Sequence, residues 1–587
     1  MNERTFEALY SKTCKRVEKL RQLGYHVIQK WECEYTDEER RMTAQSLTPV
    51  RDTIPKLVPK DAFYGGRTEA VTLSVSKDDL MPNEQILYYD VTSEYPFVNA
   101  KKFYPTGHHK ILLKHQLPQN NAEWTRRKLY GLVLCKILPP KTLLHPLLPS
   151  RHKKSLYFAL CRACVESENR RLCCHSDEMR AIRGCWTTIE VDKALTLGYR
   201  LIEVEEVWHF DRKSDSLFKA YINTLYKTKL EASGFPGNVT TAEEKEAYVA
   251  DILNREGIQL ELEKIAPNPG LRNMAKIALN SFWGKFGQRV GQSQVEFVTT
   301  TERFNQLVFS DDLYEVTEAT PVSENSMFTV FKNLYNKPNS KGNIVIAAYT
   351  TALARLHLYE AVEKLGERAF YMDTDSVVFS WKPGEWKPEL NNYLGGWTDE
   401  IPSGWTVTRF VTAGPKNYSY MLQRTAATAA ETKIQSKVKG IKKTWIVDDC
   451  LGFSEIENQV NDYVADQMRS QRKRPVEEEE NTGLRKEQCL AREQQKILAR
   501  YNEQLNMLYE DGAVADFNFP DLLHGPCACQ KCVEKRGITV LQQTFLKRKK
   551  EGYVQTRDYY KNYKLVLKKR WLYPEKCGYM SLPFGYV

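Results

Sequence analysis

Two apolar rhythms run through the sequence, one helical and one alternating, and their order predicts a mixed α+β chain. The opening "MNERTFEALYSKTCKRVEKL" has the spaced apolar positions of a charged amphipathic helix, and "YHVIQKWECEY" those of a strand. "FYGGRTEAV" (Phe63–Val71) interrupts the rhythm with paired glycines, which mark a tight turn or a close backbone approach. "QILYYDVTSEYPFVNA" reads as a strand running into a turn at Tyr95–Pro96, because the residue before proline avoids helix. Helical spacing returns in "SLFKAYINTLYKTKLEA" and "TAEEKEAYVADILNREG", with the breaker "SGFPGN" between them. Asn268 and Pro269 supply an N-cap and a first-turn proline to a third helix, "GLRNMAKIALNSFWGKFG". Residues 291–340 favour strands, and "IVIAAYTTALARLHLYEAVEKLG" is a long helix that delivers the chain to "FYMDTDSVVF".

That last stretch is a strand by its flanks, yet Asp373 and Asp375 sit in its middle. Ionised carboxylates are costly to bury unless a cation accompanies them. Taken alone, the pattern is most simply a solvated hairpin tip. Residues two apart on a strand or tight hairpin point the same way, however, so the pair presents oxygen ligands together. Hard divalent cations such as Mg²⁺ take such ligands and keep room for water and phosphate. Asp90, ending "QILYY", is a third carboxylate on a second strand, and two such strands suit two metals. The third helix adds cations. At helical spacing Arg272, Lys276, Asn280 and Trp283 form one polar stripe, with Leu271, Met274, Ala275, Ala278 and Phe282 opposite as a docked apolar face. Two cations four residues apart are spaced to grip successive phosphates, although an Arg/Lys stripe is also ordinary on a solvated face.

The chain has 587 residues, enough for several subdomains, and a net charge of +11 that leans toward a polyanionic partner. No signal peptide opens it and no run reaches the ~18–20 apolar residues of a membrane span, which predicts a soluble intracellular protein without a membrane partner. The fourteen cysteines favour reduced thiols or metal ligands over disulfides. "CRACVESENRRLCCH" offers Cys161, Cys164, Cys174 and His175, with Cys173 as the alternative third thiol, as a candidate structural Zn²⁺ knuckle. "HGPCACQKC" offers His524, Cys527, Cys529 and Cys532 as a more crowded second candidate. The charge blocks of "RSQRKRPVEEEENTGLRKEQCLAREQQKILARYNEQ" predict a helical or partly disordered insertion with a solvated face.

In order, "DVTSEYP" (90–96), "KIALNSFWGKFG" (276–287), "YMDTDS" (371–376) and "KNY" (416–418) resemble motifs A, B and C and the KxY motif of family B DNA polymerases. "FYGGRT" resembles the YxGG linker of the protein-primed branch, with Phe63 at the usual tyrosine position. "DVTSEYPFVNAKKFYPTGH" and "KNYKLVLKKRWLYPEKCGYMSLPFGY" are most similar to Polinton/Maverick or adintovirus-type enzymes, relatives of bacteriophage protein-primed polymerases.

The resemblance implies a right-hand polymerase with palm, α-helical fingers and thumb, acting on primer–template DNA and dNTPs in a viral or transposable element. It implies two Mg²⁺ ions, replaceable by Mn²⁺, on Asp90, Val91 and Asp375, with Asp373 supporting at the primer terminus. Ser93, Glu94, Tyr95, Arg272, Lys276 and Asn280 would contact nucleotide, assisted by Lys227 or Lys229. Tyr95 would act as the sugar gate beneath the deoxyribose. Ser281, Trp283, Gly284, Thr374, Lys416 and Tyr418 would contact DNA; the family usually has tyrosine where Trp283 stands.

The implied map is an N-terminal segment (1–62), palm (63–104 and 341–445), a terminal-protein-type insertion carrying the knuckle (105–210), fingers (211–289), a second insertion (290–340) and a thumb region (446–587). The residues before Asp90 are too few to hold the family's exonuclease domain, which predicts no proofreading and a chain that is a fragment or a truncated gene product. Protein priming implies a terminal-protein partner, and a eukaryotic nucleus is the implied site of replication. A reverse transcriptase also uses paired aspartates but normally has them adjacent and lacks a KxxxNSxxG helix. A remnant that binds DNA without extending it is the non-enzymatic alternative.

Overall fold

The computed structural model describes residues 6–24, 26–29, 31, 56–153, 155–288, 293–310, 313–323, 326–334, 342–425, 431–439, 452–472, 539–548, 553–563, 565–572 and 579–587. Met1–Lys56 and Leu57–Val587 form two separate units. The first holds the expected helix, Phe6–Gln22, with Tyr10 stacked on Trp31 at 4.9 Å. Residues 26–29 form no strand, so the strand expected in "YHVIQKWECEY" is not formed there. Among the described residues no partner strand pairs with this segment to satisfy its backbone.

The second unit is α+β, as expected, and is organised on a nine-stranded sheet whose pairings are antiparallel. Its main path runs Thr68–Ala70, Ala369–Asp373, Ser376–Trp381, Gln85–Val91, Trp405–Gly414, Asn417–Arg424 and Thr432–Val438. The strand ending at Asp90–Val91 therefore lies beside the "FYMDTDSVVF" hairpin, although some 280 residues of sequence separate them. One face carries Val71, Tyr89, Met372, Val377 and Phe379 against Leu358, Val362 and Leu365 of the long helix Ile344–Leu365. That helix is apolar around most of its circumference and is correspondingly buried. On the other side, Tyr88, Phe410, Val411 and Tyr418 pack on Phe453, Ile456, Val460 and Val464 of the helix Phe453–Arg472.

Pro96 does not make a turn. It is the third residue of the helix Glu94–Lys101, in a first turn whose N–H groups need no intrahelical acceptor. The reversal falls earlier, at Ser93, which adopts φ +54°. Residues 105–210 form a four-stranded sheet, Lys110–Leu113, Arg200–His209, Gly131–Leu138 and Ile182–Thr187, around buried Trp124, Trp186 and Tyr199. Three strands of residues 294–333 and the helix Thr301–Val308 make the expected β-rich segment.

The three helices expected between residues 216 and 287 form as Lys219–Glu231, Ala242–Glu256 with a Thr241/Glu244 capping box, and Pro269–Ser281 capped by Asn268. The docked face of the last is narrower than its sequence suggests. Ala275 and Leu279 are buried and Phe282 packs in the same core, whereas Leu271 (44 % exposed) and Met274 (69 %) face outward. The helix packs mainly against Lys219–Glu231, and one partner covers only one narrow stripe.

Within the expected thumb and C-terminal region, the described tail runs back to the central sheet. Ser581 donates its N–H to Val71 O (2.7 Å), its hydroxyl bonds Ala70 O (2.9 Å), and Lys569 reaches Thr68 O (2.9 Å), so the chain's last segment returns to the central sheet. The second cysteine candidate, 524–532, and most of the charged insertion lie outside the described residues.

One buried pair fixes the glycine turn. Arg355 of the long helix bonds Glu190 at 2.6 Å and donates to the carbonyls of Tyr64 (2.9 Å) and Gly65 (2.8 Å). Both side chains are nearly solvent-free, so Arg355→Ala strands a buried carboxylate and two carbonyls. Chemical denaturation should show a loss of about 3–5 kcal/mol; a loss under about 1 kcal/mol would mean water replaces the guanidinium freely.

Candidate active site

Asp90 and the acidic hairpin meet through the backbone. Ser376 is Asp90's partner across the sheet, and Val91 N–H donates to Asp375 O at 2.8 Å. The hairpin turns on Thr374 (φ +68°), with Asp375 N–H bonded to Asp373 O at 2.7 Å. Its tip is held from the "FYGGR" segment, where Arg67 O accepts from Thr374 N–H at 2.7 Å. A Cβ at Gly66 would fall 2.7 Å from Thr374 Cγ2. The second glycine is thus explained by close approach to the acidic tip, and Thr374 is a buttressed turn residue. Gly66→Ala should displace Thr374 and cost on the order of 1–3 kcal/mol in denaturant melts, with a larger fractional loss of activity than Gly65→Ala, since a Cβ at Gly65 meets nothing within 4 Å.

The carboxylates differ in company. Asp373 pairs with Lys416 Nζ at 3.0 Å. Burial, then the charges of Asp375 and Glu400, push Asp90 up to about 8. Burial, then Glu94 and Asp373, push Asp375 up to about 6. Desolvation and neighbouring like charges raise a carboxylate in this way, here by more than the cleft's lysines lower it. The cleft around them, about 370 Å³, is lined by Tyr88, Asp90, Asp373, Asp375, Ser376, Glu400 and three lysines, Lys416, Lys437 and Lys439. The donors are hard oxygens, crowded, with space beside them, which fits Mg²⁺ and does not fit a soft metal.

A second cationic group gathers about Ser93. Lys229 Nζ donates to Ser93 Oγ at 3.0 Å. Burial, then the charges of Arg272 and Lys276, lower Lys229 to about 8, so the three cations share one neighbourhood. Arg272 is steadied by Ser233 Oγ at 3.1 Å. Lys227 instead pairs with Glu261 at 2.6 Å, so of the two lysines Lys229 is the one bonded to Ser93.

Several expected contacts are placed differently. Glu94 is buried and bonded to His357 at 2.8 Å, so its side chain anchors its helix. Tyr418 is also buried, its hydroxyl 2.7 Å from that of Tyr88, so it supports the sheet beneath Lys416. Lys416, at the tip of its hairpin with φ +62°, remains half-exposed. Trp283 stacks on Tyr95 (4.5 Å between ring centres, 30°) and meets Phe63 edge-on at 6.3 Å. Asn280, Ser281 and Gly284 are exposed beside it.

Sequence reading missed Glu400, Lys437 and Lys439. The two lysines alternate in "SKVKG", a signal that was present: Lys437 lies over the Tyr418 ring at 5.7 Å. Glu400 follows a three-residue strand pairing with Tyr89–Val91 and has no comparable signature.

In the knuckle, Cys161, Cys164, Cys173 and His175 bring their ligand atoms within 4.8 Å of one another. Cys174, the thiol first chosen, is exposed and turned away, because adjacent residues in an extended segment face opposite ways.

Residues 59–240 match a family model described as DNA polymerase type B, organellar and viral. A DNA polymerase of Kluyveromyces lactis is 24 % identical over 322 residues, 54 % of this chain and 25 % of that protein. A Podospora anserina protein, described as a probable DNA polymerase, is also 24 % identical over 322 residues, 54 % of this chain and 23 % of its own length. The chain thus spans about a quarter of the curated relatives it matches. Among solved structures, Phi29 DNA polymerase in an orthorhombic crystal form has a TM-score of 0.42 at 15 % identity, covering 75 % of this chain and 73 % of that one. The Phi29 ternary complex with primer-template DNA and incoming nucleotide gives 0.42 at 14 %, covering 74 % and 72 %. Among the described residues no helix is long and apolar enough to cross a membrane.

Proposed function

We propose that this chain is a DNA-directed DNA polymerase that adds dNTPs to a primer 3′-hydroxyl, with the nine-stranded sheet as palm and the helices of residues 219–281 as fingers. The observation that carries the reading is the convergence of Asp90 and Asp375 in one cleft, near a three-cation group at Ser93. Two Mg²⁺ ions on Asp90, Asp375 and the Val91 carbonyl would acidify the hydroxyl and neutralise the leaving pyrophosphate. Lys229, Arg272 and Lys276 bind the triphosphate and oppose the charge that grows on its leaving group. Lys416, Lys437 and Lys439 form the cationic wall suited to primer phosphates, and Lys416 also restrains Asp373. Tyr95, with Trp283 on its ring, is placed to pack against the sugar.

The finer reading is the protein-primed branch in a viral or transposable element. The support is the "FYGGR" turn, whose second glycine and Arg67 carbonyl hold the acidic tip, together with the sheet of residues 105–210 as the surface for a terminal protein. Offering the chain a recessed DNA primer on a DNA and on an RNA template tests the function. Extension with dNTPs is expected on the DNA template, at least ten-fold faster than on RNA. Equal rates would favour a reverse transcriptase, and a gel shift without extension would leave only a DNA-binding remnant.

A further inference from the structure

We propose that Cys161, Cys164, Cys173 and His175 bind one structural Zn²⁺ that clasps the chain's final residues and thereby braces the edge of the central sheet beside the acidic hairpin. A tetrahedral site with Zn–S near 2.3 Å and Zn–N near 2.0–2.1 Å requires sulfur–nitrogen separations of about 3.6 Å. His175 Nδ1 lies 3.5 Å from Cys161 Sγ, 3.2 Å from Cys164 Sγ and 3.5 Å from Cys173 Sγ. The thiols are also served as metal-bound thiolates usually are. Cys164 N–H donates to Cys161 Sγ at 3.4 Å, and Asn169 Nδ2 to Cys164 Sγ at 3.5 Å. The three cysteines are buried while His175 is half-buried, a closed set of four protein ligands. On binding, the three thiols release their protons and His175 binds as neutral imidazole, leaving the centre with one negative charge.

The cluster's other feature is what leans on it. Leu160 N–H donates to Phe584 O at 2.7 Å and Cys173 N–H to Tyr586 O at 2.9 Å, so the knuckle holds the tail from two sides. Between those bonds Gly585 (φ +92°) passes so close that a Cβ there would lie 2.3 Å from Cys161 Cβ. Trp571, Leu582 and Phe584 complete one small core with Cys161, Cys164 and Cys173. The same tail carries Ser581, bonded to Ala70 and Val71, and Arg570, whose guanidinium reaches Ser581 and lies 3.7 Å from Glu69. Thr68–Ala70 pairs with Tyr371–Asp373, with Thr68 opposite Asp373. One bound ion thus fixes a tail that buttresses the strand next to Asp373.

Elemental analysis of the purified full chain tests the site. Cys164→Ser should contain one zinc per chain fewer than wild type, and Cys174→Ser the same amount as wild type. Equal zinc in Cys164→Ser and wild type, or equal loss in both variants, overturns the ligand set. Should Cys164→Ser not fold, Co²⁺ substitution of the wild type must still give thiolate charge-transfer and tetrahedral d–d bands, unchanged in Cys174→Ser. Absence of those bands overturns the site. Hydrogen exchange tests the clasp: stripping the metal with chelator should speed exchange at least ten-fold in peptides spanning 157–175 and 579–587. Unchanged exchange in the metal-free protein would show that the ion does not hold the tail.

Discussion

Asp375→Asn is expected to lower Mg²⁺-dependent dNTP incorporation by on the order of 10³-fold, about 4 kcal/mol of transition-state stabilisation. Primer–template affinity should stay within a few-fold. The amide keeps the shape and the turn, since Asp375 is held through its backbone, but removes an anionic oxygen ligand. The same change should raise the melting temperature of metal-free protein near neutral pH. The sign follows from the raised value of about 6: folding buries the carboxylate and sets it near Glu94 and Asp373, so its ionisation opposes folding as pH rises through the range from its unfolded value to about 6. Asp90→Asn should act likewise, over a range extending to about 8. Asp373→Asn should cost less activity and give no such stabilisation, because Asp373 already has Lys416 as counter-ion. A variant that loses activity together with its melting temperature would point to a structural role instead.

Lys276→Ala is expected to lower kcat/KM for dNTP by on the order of 10²-fold, about 2.7 kcal/mol, with kcat falling as well as KM rising. The reason is that leaving-group charge grows in the transition state, so the lysine is worth more there than in the ground state. Met274→Ser, on the exposed face of the same helix, should leave both constants within two-fold. Lys229 supplies the pH signature. Its value, lowered to about 8 by burial and by Arg272 and Lys276, means that it loses its proton as pH rises past 8. KM for dNTP should therefore climb above that pH in the wild type and stay flatter in Lys229→Arg, whose guanidinium keeps its charge. Identical profiles would remove Lys229 from the triphosphate site.

What could be read in the sequence was set by local chemistry. "DTDS" and "ILYYD" announce acids at strand ends, and Asn268–Pro269 announces a helix start. What could not be read was set by tertiary neighbours. The outward-facing Leu271 and Met274 fit the helical period, but the helices that pack on this one cover a narrower stripe than the period implies. Glu94 and Tyr418 belong to functional-looking motifs, yet their side chains turn inward, to His357 and to Tyr88, each from a distant segment. Pro96 reads in the sequence as the site of a turn, yet it lies in the first turn of a helix, and the reversal falls at Ser93. The return of the last residues to Val71 and Cys161 leaves no periodic signal.

The most direct test of the central claim is single-nucleotide incorporation by the wild-type chain on a DNA primer–template in Mg²⁺, with the Asp90→Asn chain as its paired control. The account predicts templated extension by the wild type, abolished by chelator, and at least 10³-fold slower in Asp90→Asn at equal DNA occupancy. Extension by Asp90→Asn within ten-fold of the wild type, or DNA binding by the wild type without extension, would contradict it.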